Sequence, residues 1–335
     1  MSVPGSGVVG WYVHHHGRGH LHRAQAVARE LDLPVTGLSS LPRPEGWTGD
    51  WVHLAPDDPP ATGDPTAGGR LHWVPTHHPG LSRRTAQVSA WLDVARPRAV
   101  VVDVSVEVTL LVRLHGVPVV GVVLPGRRDD PAHRLGLDVS DLLVGAWPDA
   151  MTDAMLPGLP PEVRSRVQGV GALSRHPVGE PSPPPAERVV TFLGGAGGHD
   201  LDAAALEDLL ARAAASTPGW TWEVAGPGRW HDDVAGLLRR SRVVVTHAGQ
   251  NALAEVAAAR RPAVVVPQRR PHREQHTTAA ALAGGGWPVR VLPTLPEHGW
   301  PELLEDAASR DGSTWDRWCD GGAAARMAAL VRDVA

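Results

Sequence analysis

A chain of 335 residues, 42% hydrophobic and 20% charged, is long enough for two ordinary domains and too apolar to stay disordered. Its formal charge of −4, with arginine supplying every basic residue, argues against a general nucleic-acid binder, which carries a basic excess. One cysteine, Cys319, excludes an internal disulfide and a multi-cysteine metal site and fits a reducing compartment. No apolar run reaches the length of a membrane span, and MSVPGSG lacks the pattern of a signal peptide, so a cytoplasmic location is expected.

Val8 to His14 reads as a first strand, followed by the turn His15-His16-Gly17-Arg18-Gly19-His20 and a helix to about Leu31. Pro34 to Leu38 and Val52 to Ala55 are short strands, and the proline- and glycine-rich stretch Pro56 to Arg70 is a loop. Leu81 to Ala95 is a helix, Ala99 to Val104 a buried strand, and Val106 to Leu114 a helix despite its β-branched residues. Val117 to Leu124 is a strand ended by Pro125-Gly126, and Arg127 to Asp130 reads as a solvated loop. Leu142 to Ala146 and Val167 to Gly171 close this half. Ser174 to Glu187 holds five prolines and no apolar periodicity, a semi-extended linker between units 1–173 and 188–335.

The β-then-α rhythm then restarts. Strand Arg188 to Leu193 leads into the glycine-rich turn Gly194 to Gly198 and the helix Leu201 to Ala215. Strand Thr221 to Ala225 and a short helix Val234 to Arg240 follow. Val243 to Val245 is β-branched throughout, as a buried parallel strand is. The turn Thr246-His247-Ala248-Gly249 joins it to a helix, Gln250 to Ala259. Ala263 to Val266 is another strand, a further helix begins near Arg273, and the tail Trp315 to Val334 is helical. Two halves of alternating strands and helices predict two doubly wound α/β domains facing a cleft.

The chemistry gathers at the carboxyl ends of strands. The helix after His247 directs free N–H groups at the preceding loop, an anion site, and Gly249 admits a ligand close to the backbone. Gly197 and Gly198 supply amides that cradle a phosphate, or simply a tight turn. Glu255 lies one helical step beyond Asn251, on the same face. His20 and Asp103 sit at two strand ends of the first half. A histidine there removes a proton from an incoming hydroxyl, and a carboxylate fixes its tautomer. The alternatives are that His20 packs on its turn and that Asp103 caps the helix after it. The histidines at 14, 15, 16, 20 and 22 lack convergent geometry on an alternating strand, so no metal is expected there. Trp11, Trp47, Trp51 and Trp73 serve the core or offer apolar surface to a large acceptor.

The segment His247-Ala-Gly-Gln-Asn-Ala-Leu-Ala-Glu255 resembles the donor-binding signature of GT-B glycosyltransferases. It is similar to the plant-type UDP-glycosyltransferase box and to the C-terminal domain of glycosyltransferase family 28. The resemblance implies a GT-B fold, two Rossmann-like domains around a central cleft. It implies an inverting hexosyltransferase that moves a sugar from a nucleotide diphosphate donor, UDP-linked by expectation, to an acceptor hydroxyl. No metal and no cofactor beyond the co-substrate are implied. His247 and the amides of Gln250, Asn251 and Ala252 would meet the diphosphate. Glu255 would take the ribose hydroxyls, Glu274 and Gln275 the hexose hydroxyls, and Trp230 the base. His20 and Asp103 would form the base dyad. Ala252 departs from the family's Ser/Thr, and Gln250 from the tryptophan of plant enzymes. Gly-x-Gly-His followed by Arg23 also resembles nucleotide-sugar hydrolases of this fold, and a non-catalytic nucleotide-sugar-binding subunit is the third reading.

Overall fold

The computed structural model describes residues 7–15, 17–58, 60–179, 185–195, 199–226, 229 and 231–335. Seven strands form the first sheet: β1 (Val9–Tyr12), β2 (Val35–Ser39), β3 (Trp51–His53), β4 (Ala99–Asp103), β5 (Val119–Val123), β6 (Leu142–Gly145) and β7 (Val167–Gly169). Their order is β3-β2-β1-β4-β5-β6-β7, and every pair is parallel. The second sheet has β8 (Val189–Leu193), β9 (Thr221–Ala225), β10 (Val243–Thr246), β11 (Ala263–Val265) and β12 (Val289–Val291), ordered β12-β11-β10-β8-β9, again all parallel. β1, β4, β5 and β8 are buried at every residue, the consequence of helices on both faces.

In such sheets the strand order reverses at one point, and the loops beside it open a crevice at the carboxyl edge. The reversal lies between β1 and β4 in the first sheet and between β8 and β10 in the second. Those four strands lead directly into the His20 turn, Asp103, the glycine-rich turn and His247. Topology alone therefore brings the separated motifs to two facing edges.

The helix Val106–Leu114 forms against its β-branched composition because Ser105 caps it, accepting from the Val108 amide, and Val106, Val108, Thr109 and Val112 are buried on one side. Three expectations need correction. Arg127 to Asp130 is not a solvated loop. Arg128 is buried, donating to the Leu124 and Pro125 carbonyls, and Asp130 caps a helix, Pro131–Val139, that the apolar pattern did not announce. The tail is not one helix: a 3-10 turn, Gly312–Arg317, and the helix Ala323–Val334 are separated at Cys319 to Gly322. β1 ends at Tyr12, so no strand alternation spreads His14 and His15; their rings stack at 4.9 Å.

Trp11 and Trp47 belong to the core of the first sheet, with Val9, Ala24 and Val27. The final helix completes that same core through Met327, Ala328 and Val331. A second core is shared between the halves. It joins Trp147, Met155 and Leu156 to Leu253, Leu282, Trp287, Trp315 and Trp318. No helix among the described residues is long and apolar enough to cross a membrane.

Candidate active site

His20 lies in the first turn of the helix Arg18–Ala28, which begins at the carboxyl end of β1, and Asp103 is the last residue of β4. The two meet: His20 Nδ1 stands 2.9 Å from Asp103 Oδ1. A carboxylate only accepts, so Nδ1 carries the proton and Nε2 is the basic nitrogen. Asp103 is not the cap of the next helix, since Ser105 holds that position. The residue between them, Val104, sits at φ 71°, a left-handed conformation that costs a β-branched side chain about 1–3 kcal/mol. Strain at this place aims Asp103 back at the first helix.

A third residue completes the group. Arg23, one turn beyond His20, donates through Nη1 to both oxygens of Asp103 at 2.8 Å. Burial of Asp103 favours its neutral form, but Arg23 and His20 outweigh it and hold the carboxyl below its usual range. Arg23 then reaches across the cleft, donating through Nη2 to Gln250 Oε1 at 3.2 Å.

On the facing edge, the helix Gln250–Ala258 has Gly249 as its N-cap and no side chain closing its first turn. Two buried N–H donors flank it without a partner among the described residues. One is Gln250 Nε2. The other is His199 Nε2: Leu201 N donates to His199 Nδ1 at 2.9 Å, so the ring proton is on Nε2. A buried donor left unpaired is costly, and an anion at a helix N-terminus satisfies such groups together.

His247 is buried beside His199, ring centroids 4.8 Å apart, and donates from Nδ1 to the Val266 carbonyl at 3.2 Å. Burial, reinforced by His199, lowers its pKa to about 4. Its unfolded value is about 6.5. Below that the unfolded chain takes a proton the folded one refuses, so stability falls as pH drops from about 6.5 towards 4. His247→Asn should therefore flatten the decline in thermal midpoint across that window, read by circular dichroism; an unchanged pH profile would mean that the ring is solvated in the fold.

Glu255 is buried on the helix face turned to the first half. Arg175, at the start of the linker, grips it with Nε 2.7 Å from Oε1 and Nη2 3.3 Å from Oε2. Burial raises the Glu255 pKa against the pull of Arg175. Asn251 reaches across to the first half: a Cβ on Gly19 would fall 2.2 Å from its Nδ2, so the tip of this side chain lies against the first helix. Gln275 accepts from the Gln268 amide and Gln268 from the Asp200 amide, tying the loop after β11 to the turn after β8. Burial raises the Glu274 pKa against the pull of Arg128, whose Nη2 lies 3.7 Å from its Oε2. Ala252 is half-buried beside these groups. Gly197, Gly198 and Trp230 lie outside the described residues.

Sequence reasoning missed Arg175, His199 as a donor, and the Gln268–Gln275 pair, because each acquires its role only from a partner far along the chain. Arg23 was legible as part of Gly-x-Gly-His-x-x-Arg, though its bond to Asp103 was not.

Residues 224–293 match the glycosyltransferase family 28 C-terminal domain, the segment that holds β10, β11 and the His247 turn. No curated protein matches the chain. Among solved structures, the glycosyltransferase of kitacinnamycin superposes with a TM-score of 0.67 at 18% identity, over 99% of this chain and 100% of that one. MurG of Acinetobacter baumannii gives 0.65 at 16% identity, over 97% and 99%. The spinosyn rhamnosyltransferase SpnG, complexed with thymidine diphosphate, gives 0.59 at 17%, over 97% and 99%.

Proposed function

We propose that this chain, which has the GT-B fold of the glycosyltransferases it superposes on, is an inverting glycosyltransferase using a nucleoside diphosphate sugar. One observation carries the reading: an uncapped helix N-terminus with two buried donors that have no partner among the described residues, His199 Nε2 and Gln250 Nε2, facing the His20–Asp103–Arg23 group across the cleft. The diphosphate takes the helix end and those donors, and they stabilise it as it leaves. His20 Nε2 removes the acceptor's proton while Asp103 steadies the imidazolium. The acceptor oxygen then displaces the diphosphate at the anomeric carbon, inverting it. Glu274 and Gln275 take the sugar, and Glu255 the ribose in exchange for Arg175. SpnG's thymidine diphosphate supports this class of donor. The donor being UDP-linked follows from the resemblance of His247 to Glu255.

A thermal-shift series with UDP, dTDP and GDP tests the donor site, since a ligand of the folded state alone raises its midpoint. A rise with one of them is expected; no rise with any nucleoside diphosphate would overturn the assignment. Transfer is separated from hydrolysis by following the donor: release of free sugar without acceptor should be slow, and donor consumption much faster when an extract supplies one.

The exchange at Glu255 has its own signature. Glu255→Ala should weaken nucleotide binding by about 1.5–3 kcal/mol, the worth of a charged hydrogen bond. Arg175→Ala should tighten it, because a competitor for Glu255 is gone. Calorimetry showing equal affinity in both variants would leave Glu255 as an interdomain latch only.

A further inference from the structure

Beside this site, three histidines distant in sequence converge at the seam between the halves. His72 lies on a loop pinned by Glu107, which accepts from the His72 and Trp73 amides. His133 is in the first turn of Pro131–Val139. His272 comes from the second half, on the 3-10 turn Pro271–Arg273, at φ 55°. Its carbonyl accepts from the Arg127 amide at 2.7 Å, and a Cβ on Gly126 would stand 2.4 Å from that oxygen, so the two backbones are in direct contact.

We propose that His72, His133 and His272 bind one divalent transition-metal ion, with Zn2+ the chemical match, and that the ion clamps the two halves together. One ligand nitrogen of each ring lies within 4.8 Å of the others. The edge of a tetrahedron with Zn–N bonds of about 2.0–2.1 Å is about 3.3 Å, so small ring rotations assemble three ligands and leave the fourth position to water. Ring centroids 4.3, 4.6 and 5.9 Å apart, at interplanar angles of 53–84°, fan around a common point rather than stack.

Asp130 supplies the carboxylate that metal-binding imidazoles habitually lean on. Its oxygens lie 2.5 Å from His133 Nδ1, 3.3 Å from His72 Nε2 and 3.8 Å from His272 Nδ1. The short bond puts the His133 proton on Nδ1 and leaves Nε2 as ligand. Arg128 Nη1, 3.1 Å from that Nε2, must yield the contact. It keeps the Leu124 and Pro125 carbonyls, and Glu274, 3.7 Å away, balances its charge. His72 and His272 are about a third exposed, which gives the ion a way in. The set contains no thiolate, so imidazole-preferring Zn2+ or Co2+ fits where Mg2+ and Ca2+, which take oxygen, do not.

Chelator-stripped protein titrated with Co2+ should take up one ion per chain, with visible absorption of tetrahedral intensity that Zn2+ abolishes. His72→Ala and His272→Ala, both at partly exposed positions, should each weaken Co2+ binding by more than about 100-fold, since direct ligands matter at least as much as their outer partners. His298→Ala, an exposed histidine elsewhere, should bind as the parent does. Zn2+ should raise the thermal midpoint of the parent and leave that of His272→Ala in place. Binding with the weak spectrum of an octahedral ion, or equal binding by all three variants, would overturn the site. A Zn2+ rise in midpoint that survives His272→Ala would overturn the clamp.

Discussion

His20→Ala should lower turnover by about a hundredfold to ten-thousandfold, the span for loss of a general base, with nucleotide affinity unchanged. The separation follows from the fold. His20 stands at the end of β1 in the first sheet, whereas the anion site belongs to β8 and β10 in the second. Steady-state kinetics beside calorimetry distinguish the outcomes. A variant that loses nucleotide binding in step with turnover would make His20 a donor contact. One with normal turnover would leave it a packing residue at a helix start.

The second large effect is on stability. Asp103 is fully buried and Arg23 nearly so, with two bonds of 2.8 Å between them. Asp103→Ala strands the guanidinium in the interior, and breaking a buried pair from one side costs about 3–5 kcal/mol. Chemical denaturation should show the loss. It should also show much of it restored in Asp103→Leu combined with Arg23→Leu, since an apolar pair of similar volume often stands in for an ion pair. Turnover should stay low in the double variant. A single variant within about 1 kcal/mol of the parent would mean that water reaches Arg23.

The dyad was legible because strand ends and switch points follow from topology, and topology follows from β-branched runs broken by glycine and proline. Asp103 ends such a run, and His20 opens the helix that follows another. What stayed hidden was pairing at a distance. Nothing local distinguishes Asp103 from a helix cap until Ser105 is seen to hold that role. Nothing joins Arg175 to Glu255 before the halves are apposed. The helix Pro131–Val139 carried a readable start, with Asp130 at its N-cap and Pro131 in its first turn, yet its nine residues include Gly136 and two leucines on different faces, Leu137 buried and Leu135 exposed. Periodicity needs more turns than that. Trp11 and Trp47 had two equal uses from composition, and only burial decided for the core.

The helix Ala323–Val334 closes the core over β1 and the first helix, although β7 finishes that sheet at Gly169. On the ribosome, the residues that seal the first unit therefore appear about 8–30 s after its last strand, at roughly 5–20 residues per second. During that interval the nascent sheet carries an open apolar strip where Met327 and Val331 will later sit. The strip needs a chaperone or the linker's own contacts to cover it. A fragment stopped after the first unit should come out of cells aggregated, and co-expression of the missing helix on its own should recover soluble material.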